Sequence, residues 1–303
     1  LRLLITARQV DQVIGKADSH WHASYGEEAV PVGCFSALLP TDISIPHYRS
    51  AVIASLVRGA DLRRLIAGVL GKVTGPGRGR PRAEIMGDVG SNHFAMFSGT
   101  LGPTLGYATG AGLASKLQKS GRVALVTFGD GTVNSGLFHE SLNMASMFKL
   151  PTIFVCQDNQ YAITTRADVA IPGSITARGS GYGMPAIEVD GNDVLAVYAQ
   201  VRQAADRARA GEGPTFIHAV TYRLGGHWSS DPTPYRSKEE VAHWAARDPI
   251  PRLSAQLLAE GAVTQARIDA FAADATAQAT AALEAAQADP WPAQADLQGE
   301  AYA

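Results

Sequence analysis

Short runs of apolar residues alternate along the chain with segments whose apolar residues recur at helical spacing. Residues 122–128 (RVALVTF), 152–156 (TIFVC) and 215–222 (TFIHAVTY) are mostly apolar, as strands buried on both faces are. Residues 187–189 form a shorter candidate strand. Strands that alternate with helices predict an α/β fold with a mainly parallel sheet flanked by helices on both faces.

The helices are predicted from spacing and from their ends. Between the first two strands Asn134 is a suitable N-cap and Pro151 ends the helix. One face of this helix is predicted to be apolar, with Leu137, Ser141, Met144, Ala145 and Phe148. Met144 and Met147 are expected in the core. Other segments predict helices: residues 1–16, 27–39, 61–70 and 194–210, and the Gly/Ala-rich residues 100–116, which predict a tightly packed buried helix.

Two regions differ from this alternation. Residues 71–92 are rich in Gly, Pro and Arg and predict a long loop, whose basic residues either meet phosphates or are simply solvated. From about residue 237 the pattern is helical and alanine-rich. We therefore expect a single domain over residues 1–303 with a helical C-terminal extension.

Composition and charge exclude several classes of protein. Of the 303 residues 46% are hydrophobic and 18% are charged, so a large core is expected. The net charge of −2 and the lack of a basic run argue against nucleic-acid binding, and no apolar run is long enough to predict a membrane span. Two distant cysteines favour a reducing compartment, the cytoplasm of a bacterium. An organellar matrix stays open, because the chain starts at Leu1 and we expect an N-terminal portion to be missing.

Candidate chemistry lies at the ends of two neighbouring strands. Asp130 follows the strand 122–128, and Asn159 follows the strand 152–156. A right-handed strand–helix–strand crossover places these ends side by side, at the sheet edge where α/β proteins bind ligands. Carboxylate, amide and carbonyl oxygens suit Mg²⁺ or Ca²⁺ and do not suit zinc or copper.

The spacing makes this pair more specific than either turn alone. A lone Gly-Asp-Gly is a common turn, but residues 132–157 have the length that one helix and one strand require. Gly129 and Gly131 let the backbone approach a diphosphate closely, and the helix beginning near Asn134 offers its positive end.

Several motifs together resemble one known family. They are GDG at 129–131, YGEEAVPVG at 25–33, HYRS at 47–50, LNMA at 142–145, KLPTIFVCQDNQYAI at 149–163, VDGNDVLAVY at 189–198 and TYRLGGHWSSDPTPYRS at 221–237. The chain resembles the alpha subunit of the thiamine diphosphate-dependent, decarboxylating dehydrogenase component of 2-oxo acid dehydrogenase complexes. The resemblance covers nearly the whole chain and implies the thiamine diphosphate-binding fold. ITARGSGYG at 175–183 is closer to the branched-chain members.

The resemblance implies roles for individual residues. Asp130 and Asn159 would hold Mg²⁺ by side-chain oxygens, and Tyr161 would hold it by its carbonyl. Tyr48 and Arg49 match the pair that binds the diphosphate, for which the planar guanidinium of arginine is suited.

Further roles follow for the residues around the cofactor. His227 matches a catalytic loop histidine that reaches the cofactor phosphate and assists acyl transfer to the lipoyl group. Ser98 to Leu101 match, more loosely, the segment near the reacting centre. Trp21 and His22 are candidates for the mouth of the substrate site. Each assignment has a plainer rival, a turn or surface residue. The other motifs make that rival less favourable for Tyr48, Arg49 and His227, whereas both readings stay open for Trp21 and His22.

Some positions depart from the family pattern. The first member of the usual Asn-Asn pair is Asp158 here, while the expected metal ligand Asn159 is kept. Trp228 follows His227 where regulated relatives carry a phosphorylatable serine, so regulation by a kinase at that position is not expected. Glu27 and Glu28 look catalytic, but the family segment is structural, so we expect a capping or ion-pair role.

The resemblance also implies partners. A beta subunit would supply the glutamate that activates the cofactor, in an α₂β₂ heterotetramer, and a lipoyl-bearing dihydrolipoyl acyltransferase would accept the acyl group formed from a 2-oxo acid substrate. Pyruvate, branched-chain 2-oxo acids and acetoin all remain candidate substrates, and His47 is not the usual branched-chain residue. The alternatives are another thiamine diphosphate enzyme, such as a split transketolase half, or a paralogue that has lost its cofactor.

Overall fold

The computed structural model describes residues 1–80, 87–88, 90–95 and 99–297. Five parallel strands form its main sheet, and a two-stranded antiparallel hairpin stands apart from it. The strands of the main sheet are β1 (Ile43–Ile45), β2 (Ala124–Gly129), β3 (Thr152–Asp158), β6 (Ala186–Asp190) and β7 (Thr215–Val220). Their spatial order is β1-β2-β3-β7-β6. The hairpin is β4 (Tyr161–Ala162) with β5 (Thr165–Arg166).

Twelve α-helices accompany the strands in the described chain. They are α1 (Arg2–Ala17), α2 (Ala29–Ser36), α3 (Ala51–Val57), α4 (Leu62–Val69), α5 (Pro103–Leu117), α6 (Gly136–Met147), α7 (Ala167–Ala170), α8 (Ile175–Ser180), α9 (Val194–Arg209), α10 (Lys238–Ala245), α11 (Pro249–Ala259) and α12 (Gln265–Gln287). Three short 3₁₀ helices cover Tyr48–Ser50, Asp130–Asn134 and Gln294–Leu297. None of the described helices is both long and apolar enough to cross a membrane.

Helices cover both faces of the sheet. Phe128, Phe138 and Phe216 pack on one face, their ring centroids 6.0–6.3 Å apart. On the other face Val197 and Val201 of α9 pack over the alternate, equally buried residues of the central strands. Successive side chains of a strand point to opposite faces, so a sheet covered twice needs continuous apolar runs. The predicted fold class, an α/β fold with a mainly parallel sheet, is confirmed.

The C-terminal helices close the side of the fold that α1 occupies. Ala279 and Ala286 of α12 are buried in one cluster with Val10 and Ile14 of α1 and Ile66 of α4. The sequence is alanine-rich from about residue 237 onward, where helices are predicted. This composition suits the packing, because small side chains let helix axes approach closely.

Two predicted burial patterns are wrong. In α6 the buried residues are Phe138, Ser141, Leu142 and Ala145, so the buried face lies about one residue away from the predicted one. The N-cap is Ser135, whose hydroxyl accepts from the backbone N–H of Phe138 at 3.2 Å. Met147 is 64% exposed, and Leu137, Met144 and Phe148 are also exposed.

Helix α5 is likewise buried on only one face. Tyr107 is 48% exposed and Leu117 is 73% exposed, whereas Leu105 and Ala108 are fully buried. The exposed faces of α5 and α6 therefore present apolar residues to the outside of the chain. Spacing could not separate the two faces of these helices, because both carry apolar residues.

The predicted loop 71–92 is only partly described. Its first half is fixed to the end of α12: the ammonium of Lys72 donates to the carbonyls of Gln287 and Asp289 at 3.0 and 2.9 Å. Residues 81–86 and 89 lie outside the described chain, so the proposal that basic residues of this loop meet phosphates is not tested there.

Candidate cofactor site

A cavity of about 310 Å³ lies at the carboxyl ends of β2 and β3. It lies at the sheet edge predicted from the strand order. The residues predicted to bind the cofactor and the metal line this cavity wherever the structure describes them: Tyr48, Arg49, Leu101, Gly129, Asp130, Gly131, Asn159, Tyr161 and His227. Ser98, the remaining predicted residue, lies outside the described residues.

Asp130 is a buried carboxylate with one unpartnered oxygen among the described residues. It opens the 3₁₀ helix after β2, is 2% exposed, and its Oδ2 atom has no hydrogen-bond partner in the described part of the chain. Burial, followed by repulsion from Asp158 and Glu27, raises the pKa of Asp130 to about 7. A buried carboxylate in such surroundings is stabilised by a cation.

Two further oxygen donors stand beside Asp130, after β3. The amide oxygen of Asn159 accepts from the backbone N–H of Tyr161 at 3.2 Å, and its Nδ2 donates to Glu27 at 3.0 Å. Between them Gln160 has a φ of 72°, which turns the backbone sharply. The carbonyl of Tyr161 lies 3.4 Å from a guanidinium nitrogen of Arg223. These oxygens form a hard donor set.

No nitrogen- or sulfur-rich metal site accompanies this donor set. Among the described residues no group of three or more His, Cys, Asp or Glu side chains could hold a metal ion. Cys34 and Cys156 are both free and buried. The donors at the cavity, one carboxylate with amide and carbonyl oxygens, suit Mg²⁺ and not zinc.

Asp158, the departure from the family pair, faces a different neighbour. Its Oδ2 lies 2.9 Å from Nε2 of His218 on β7, and its Oδ1 accepts from the backbone N–H of Gln160 at 3.0 Å. Asp158 is not among the residues that line the cavity. The replacement therefore leaves the donor atoms of Asn159 in place and adds a buried negative charge behind them.

Arg49 is buried at the cavity wall. Its side chain is 1% exposed and donates to the carbonyl of Ala23 at 2.8 Å and to the carbonyl of His227 at 3.2 Å. Its Nη2 also lies 3.2 Å from Nδ1 of His227. Because arginine stays protonated, Nδ1 accepts this contact, and the proton of the neutral imidazole resides on Nε2.

Two histidines at this wall, His227 and His47, are held neutral. Burial, and then the positive charge of Arg49, lower the pKa of His227 to about 3. The same two causes lower the pKa of His47 to about 3. Of the two candidates for the substrate mouth, His22 lines the cavity, its ring 4.9 Å from that of His227, whereas Trp21 is buried behind it against Asp11.

Arg223 is a buried arginine that the sequence reasoning missed, and it contacts the carbonyl of Tyr161 without itself lining the cavity. It is 1% exposed and donates to the carbonyl of Ile163 at 2.8 Å, beside the carbonyl of Tyr161. Burial and then repulsion from Arg49 lower its pKa. The signal available in the sequence was an arginine directly after the predicted strand 215–222, inside a motif already noted for His227.

The two glycines before and after Asp130 differ in what they require. A Cβ on Gly131 would lie 2.8 Å from Cβ of Ala162 and 3.4 Å from Leu101, so any side chain there would clash with Ala162 in the cavity wall. A Cβ on Gly129 would make only an ordinary contact, 3.7 Å from His47. Close packing thus accounts for glycine at 131 alone.

The helix after Asp130 was predicted to offer its positive N-terminal end to the diphosphate, but this end does not line the cavity. Helix α6 begins at Gly136, and none of its residues lines the cavity. The side chain of Asn134, the predicted cap, instead donates to the carbonyl of Ala170 at 3.1 Å and accepts from Arg178 at 2.8 Å.

The family model described as Dehydrogenase E1 component matches residues 1–295. The chain belongs to the dehydrogenase E1 component family. The resemblance drawn from the motifs is thereby confirmed.

Curated relatives of this E1 chain are named for different 2-oxo acids. It is 42% identical over 243 residues to "3-methyl-2-oxobutanoate dehydrogenase subunit alpha" of Mycobacterium tuberculosis, covering 79% of this chain and 63% of the relative. It is 36% identical over 293 residues to "Pyruvate dehydrogenase E1 component subunit alpha-3, chloroplastic" of Oryza sativa subsp. japonica, covering 93% and 68%. It is 39% identical over 246 residues to "2-oxoisovalerate dehydrogenase subunit alpha, mitochondrial" of Mus musculus, covering 80% and 55%.

Proposed function

We propose that this chain is the alpha subunit of a 2-oxo acid dehydrogenase and binds thiamine diphosphate with Mg²⁺ in the cavity. The observation that carries the proposal is the division of charge. The buried carboxylate of Asp130 favours a cation, while the buried guanidinium of Arg49 at the cavity wall, with Arg223 next to it beside the carbonyl of Tyr161, favours an anion. A diphosphate with its bound divalent cation satisfies both requirements together.

The residues present fit both halves of this ligand. Asp130, Asn159 and the carbonyl of Tyr161 would hold Mg²⁺, which usually takes its remaining oxygens from phosphates and water. Tyr48, Arg49 and Arg223 would bind the phosphate oxygens. An anion between the two arginines would relieve the repulsion that now lowers the pKa of Arg223.

We propose that His227 contacts a phosphate oxygen of the cofactor. Arg49 fixes the imidazole in the tautomer that carries its proton on Nε2, and Asp231 accepts from the backbone N–H of His227 at 2.7 Å. A neutral imidazole held in this way can donate to a phosphate oxygen, and we propose that it assists acyl transfer to a lipoyl group. Thiamine diphosphate supplies the electron sink for decarboxylation of the 2-oxo acid.

A beta subunit is proposed because the described residues do not complete the site. Activation of the cofactor requires a second carboxylate, and Asp130 is the only acidic side chain among the described residues that line the cavity. Leu101 and Ile163, 42% and 54% exposed, lie at the cavity and would be covered by such a partner. The exposed apolar faces of α5 and α6 support an α₂β₂ assembly that works with a lipoyl-bearing acyltransferase.

The substrate class is proposed as a 2-oxo acid. The segment ITARGSGYG and the named mycobacterial relative favour a branched-chain acid, while the chloroplastic relative is named for pyruvate. The first relative is matched over only 63% of its length, so the activity is proposed for the chain and not taken from the name. The two buried free cysteines fit the proposed site of action, the reducing cytoplasm of a bacterium.

Coexpression with the beta subunit tests this function. We expect the purified complex, supplied with thiamine diphosphate and Mg²⁺, to release CO₂ from a 2-oxo acid and to acylate lipoamide. A panel of pyruvate, branched-chain 2-oxo acids and acetoin would identify the substrate, and a ketol donor would detect transketolase activity. The chain alone is expected to release no CO₂. Ketol transfer, or full activity of the chain alone, would contradict the proposal.

A further inference from the structure

Glu27 is a buried charge that the proposed function does not yet use. Its side chain is fully buried, it is not among the residues that line the cavity, and it lies directly behind Asn159 and Arg49. We propose that Glu27 is a positioning residue, which presents the oxygen of Asn159 to the cation and orients Arg49 for the diphosphate. This inference rests on the proposed function and adds a residue to it.

The first contact fixes the orientation of an amide. Oε2 of Glu27 accepts from Nδ2 of Asn159 at 3.0 Å. An ionised carboxylate only accepts, whereas an asparagine side chain carries a donor nitrogen and an acceptor oxygen. Turning the amide over would set Oδ1 against Oε2, two acceptors in contact. Glu27 therefore selects the rotamer in which the oxygen of Asn159 points away from it and is available as a ligand.

The second contact ties this carboxylate to the sheet. Oε2 of Glu27 also accepts from Nε2 of Gln157 at 2.6 Å, and the amide oxygen of Gln157 accepts from the hydroxyl of Ser50 at 2.9 Å. Ser50 ends the 3₁₀ turn that carries Tyr48 and Arg49. One chain of hydrogen bonds thus links the turn proposed for the diphosphate to the strand end proposed for the metal.

The third contact is a charge pair. Oε1 of Glu27 lies 3.5 Å from Nε of Arg49, and neither atom has a hydrogen-bond partner in the described part of the chain. Both side chains are 1% exposed, so each charge compensates the other in a poorly solvated place. The other two guanidinium nitrogens contact Ala23 and His227. Glu27 therefore constrains Nε, the guanidinium nitrogen of Arg49 that Ala23 and His227 do not contact.

The neighbouring Glu28 provides a contrast with the same burial. It is also fully buried, but its carboxylate pairs with Arg8, which in turn binds Asp248 of α11's N-terminus. None of these three residues lines the cavity. The two adjacent glutamates thus serve different ends: one supports the proposed cofactor site, and the other joins α1 to the C-terminal helices.

Calorimetry on the full chain in complex with its beta subunit tests the role of Glu27. The measured quantity is the Mg²⁺ concentration that half-saturates thiamine diphosphate binding. We expect Glu27→Gln to raise it by about 10- to 100-fold, the usual effect of losing the partner of a metal ligand. Glu28→Gln, the matched control, is expected to lower the melting temperature but to leave the Mg²⁺ requirement unchanged.

A second variant keeps the test open if Glu27→Gln does not fold. Glu27→Asp retains the charge beside Arg49 but withdraws the carboxylate from Asn159, so a folded protein with a raised Mg²⁺ requirement is expected. A folded Glu27→Gln or Glu27→Asp variant with the wild-type Mg²⁺ requirement would overturn the inference and leave the proposed function standing. A wild-type complex that fails to bind thiamine diphosphate with Mg²⁺ would instead overturn the proposed function.

Discussion

Asp130→Ala is expected to weaken the binding of thiamine diphosphate with Mg²⁺ by about 100-fold or more, equivalent to about 3 kcal/mol. The substitution removes the one full negative charge among the proposed metal ligands and leaves only the neutral oxygens of Asn159 and Tyr161. Calorimetric titration with thiamine diphosphate, at a series of Mg²⁺ concentrations, measures the loss. A variant that binds the cofactor as tightly as the wild type would contradict the metal assignment.

The cofactor-free fold is expected to survive this change. In the folded chain the pKa of Asp130 lies at about 7, above the ordinary aspartate value of 3.8 that applies to the unfolded chain. The fold therefore favours the protonated form, and stability is lost as the pH rises from about 4 through 7. Without cofactor, Asp130→Asn should be more stable than the wild type at pH 8, and the difference should shrink towards pH 4. Denaturant unfolding at both pH values checks the sign.

Arg49→Lys is expected to lower the affinity for thiamine diphosphate by roughly 10- to 100-fold, because each charge-assisted hydrogen bond lost costs about 1.5–3 kcal/mol. Lysine keeps the positive charge that compensates Glu27, but it lacks the planar fork that contacts the carbonyls of Ala23 and His227 and that is proposed to bind a phosphate. The Mg²⁺ requirement should change much less than the cofactor affinity.

Arg49→Ala should have a larger and different effect. It leaves Glu27 as an uncompensated buried charge, for which a loss of stability of about 3–5 kcal/mol is expected. Arg8→Lys is the matched control for Arg49→Lys, since Arg8 likewise pairs with a buried glutamate, Glu28, but lies away from the cavity. Calorimetry and thermal unfolding separate the two effects. Wild-type cofactor affinity in Arg49→Lys would remove Arg49 from the diphosphate site.

The sequence was most informative where chemistry and spacing coincided. Asp130 and Asn159 follow adjacent strands, so the parallel order of β2 and β3 brings them together without any detail of packing. Tyr48, Arg49 and His227 could not be placed by spacing at all. They were assigned through the family resemblance, and tertiary contacts carry them to the same cavity.

The sequence was least informative where burial depends on neighbours. Glu27 and Glu28 are adjacent and equally buried, and only the packing at the start of α2 directs one carboxylate to Asn159 and the other to Arg8. Helix α6 has apolar residues on two faces, and one of them is exposed in this chain, as Met147 shows. A surface that a partner would cover looks like core in a sequence.

Anomalous diffraction from crystals of the complex grown with Mn²⁺ and thiamine diphosphate tests the central claim most directly, because Mn²⁺ accepts the same oxygen ligands as Mg²⁺. The predicted result is a single anomalous peak bound by the carboxylate of Asp130, Oδ1 of Asn159 and the carbonyl of Tyr161. The distances from the metal to these oxygens should be about 2.1 Å, as is typical of Mg²⁺. The diphosphate should lie between this peak and Arg49. A peak elsewhere, or a cofactor bound away from these residues, would contradict the account.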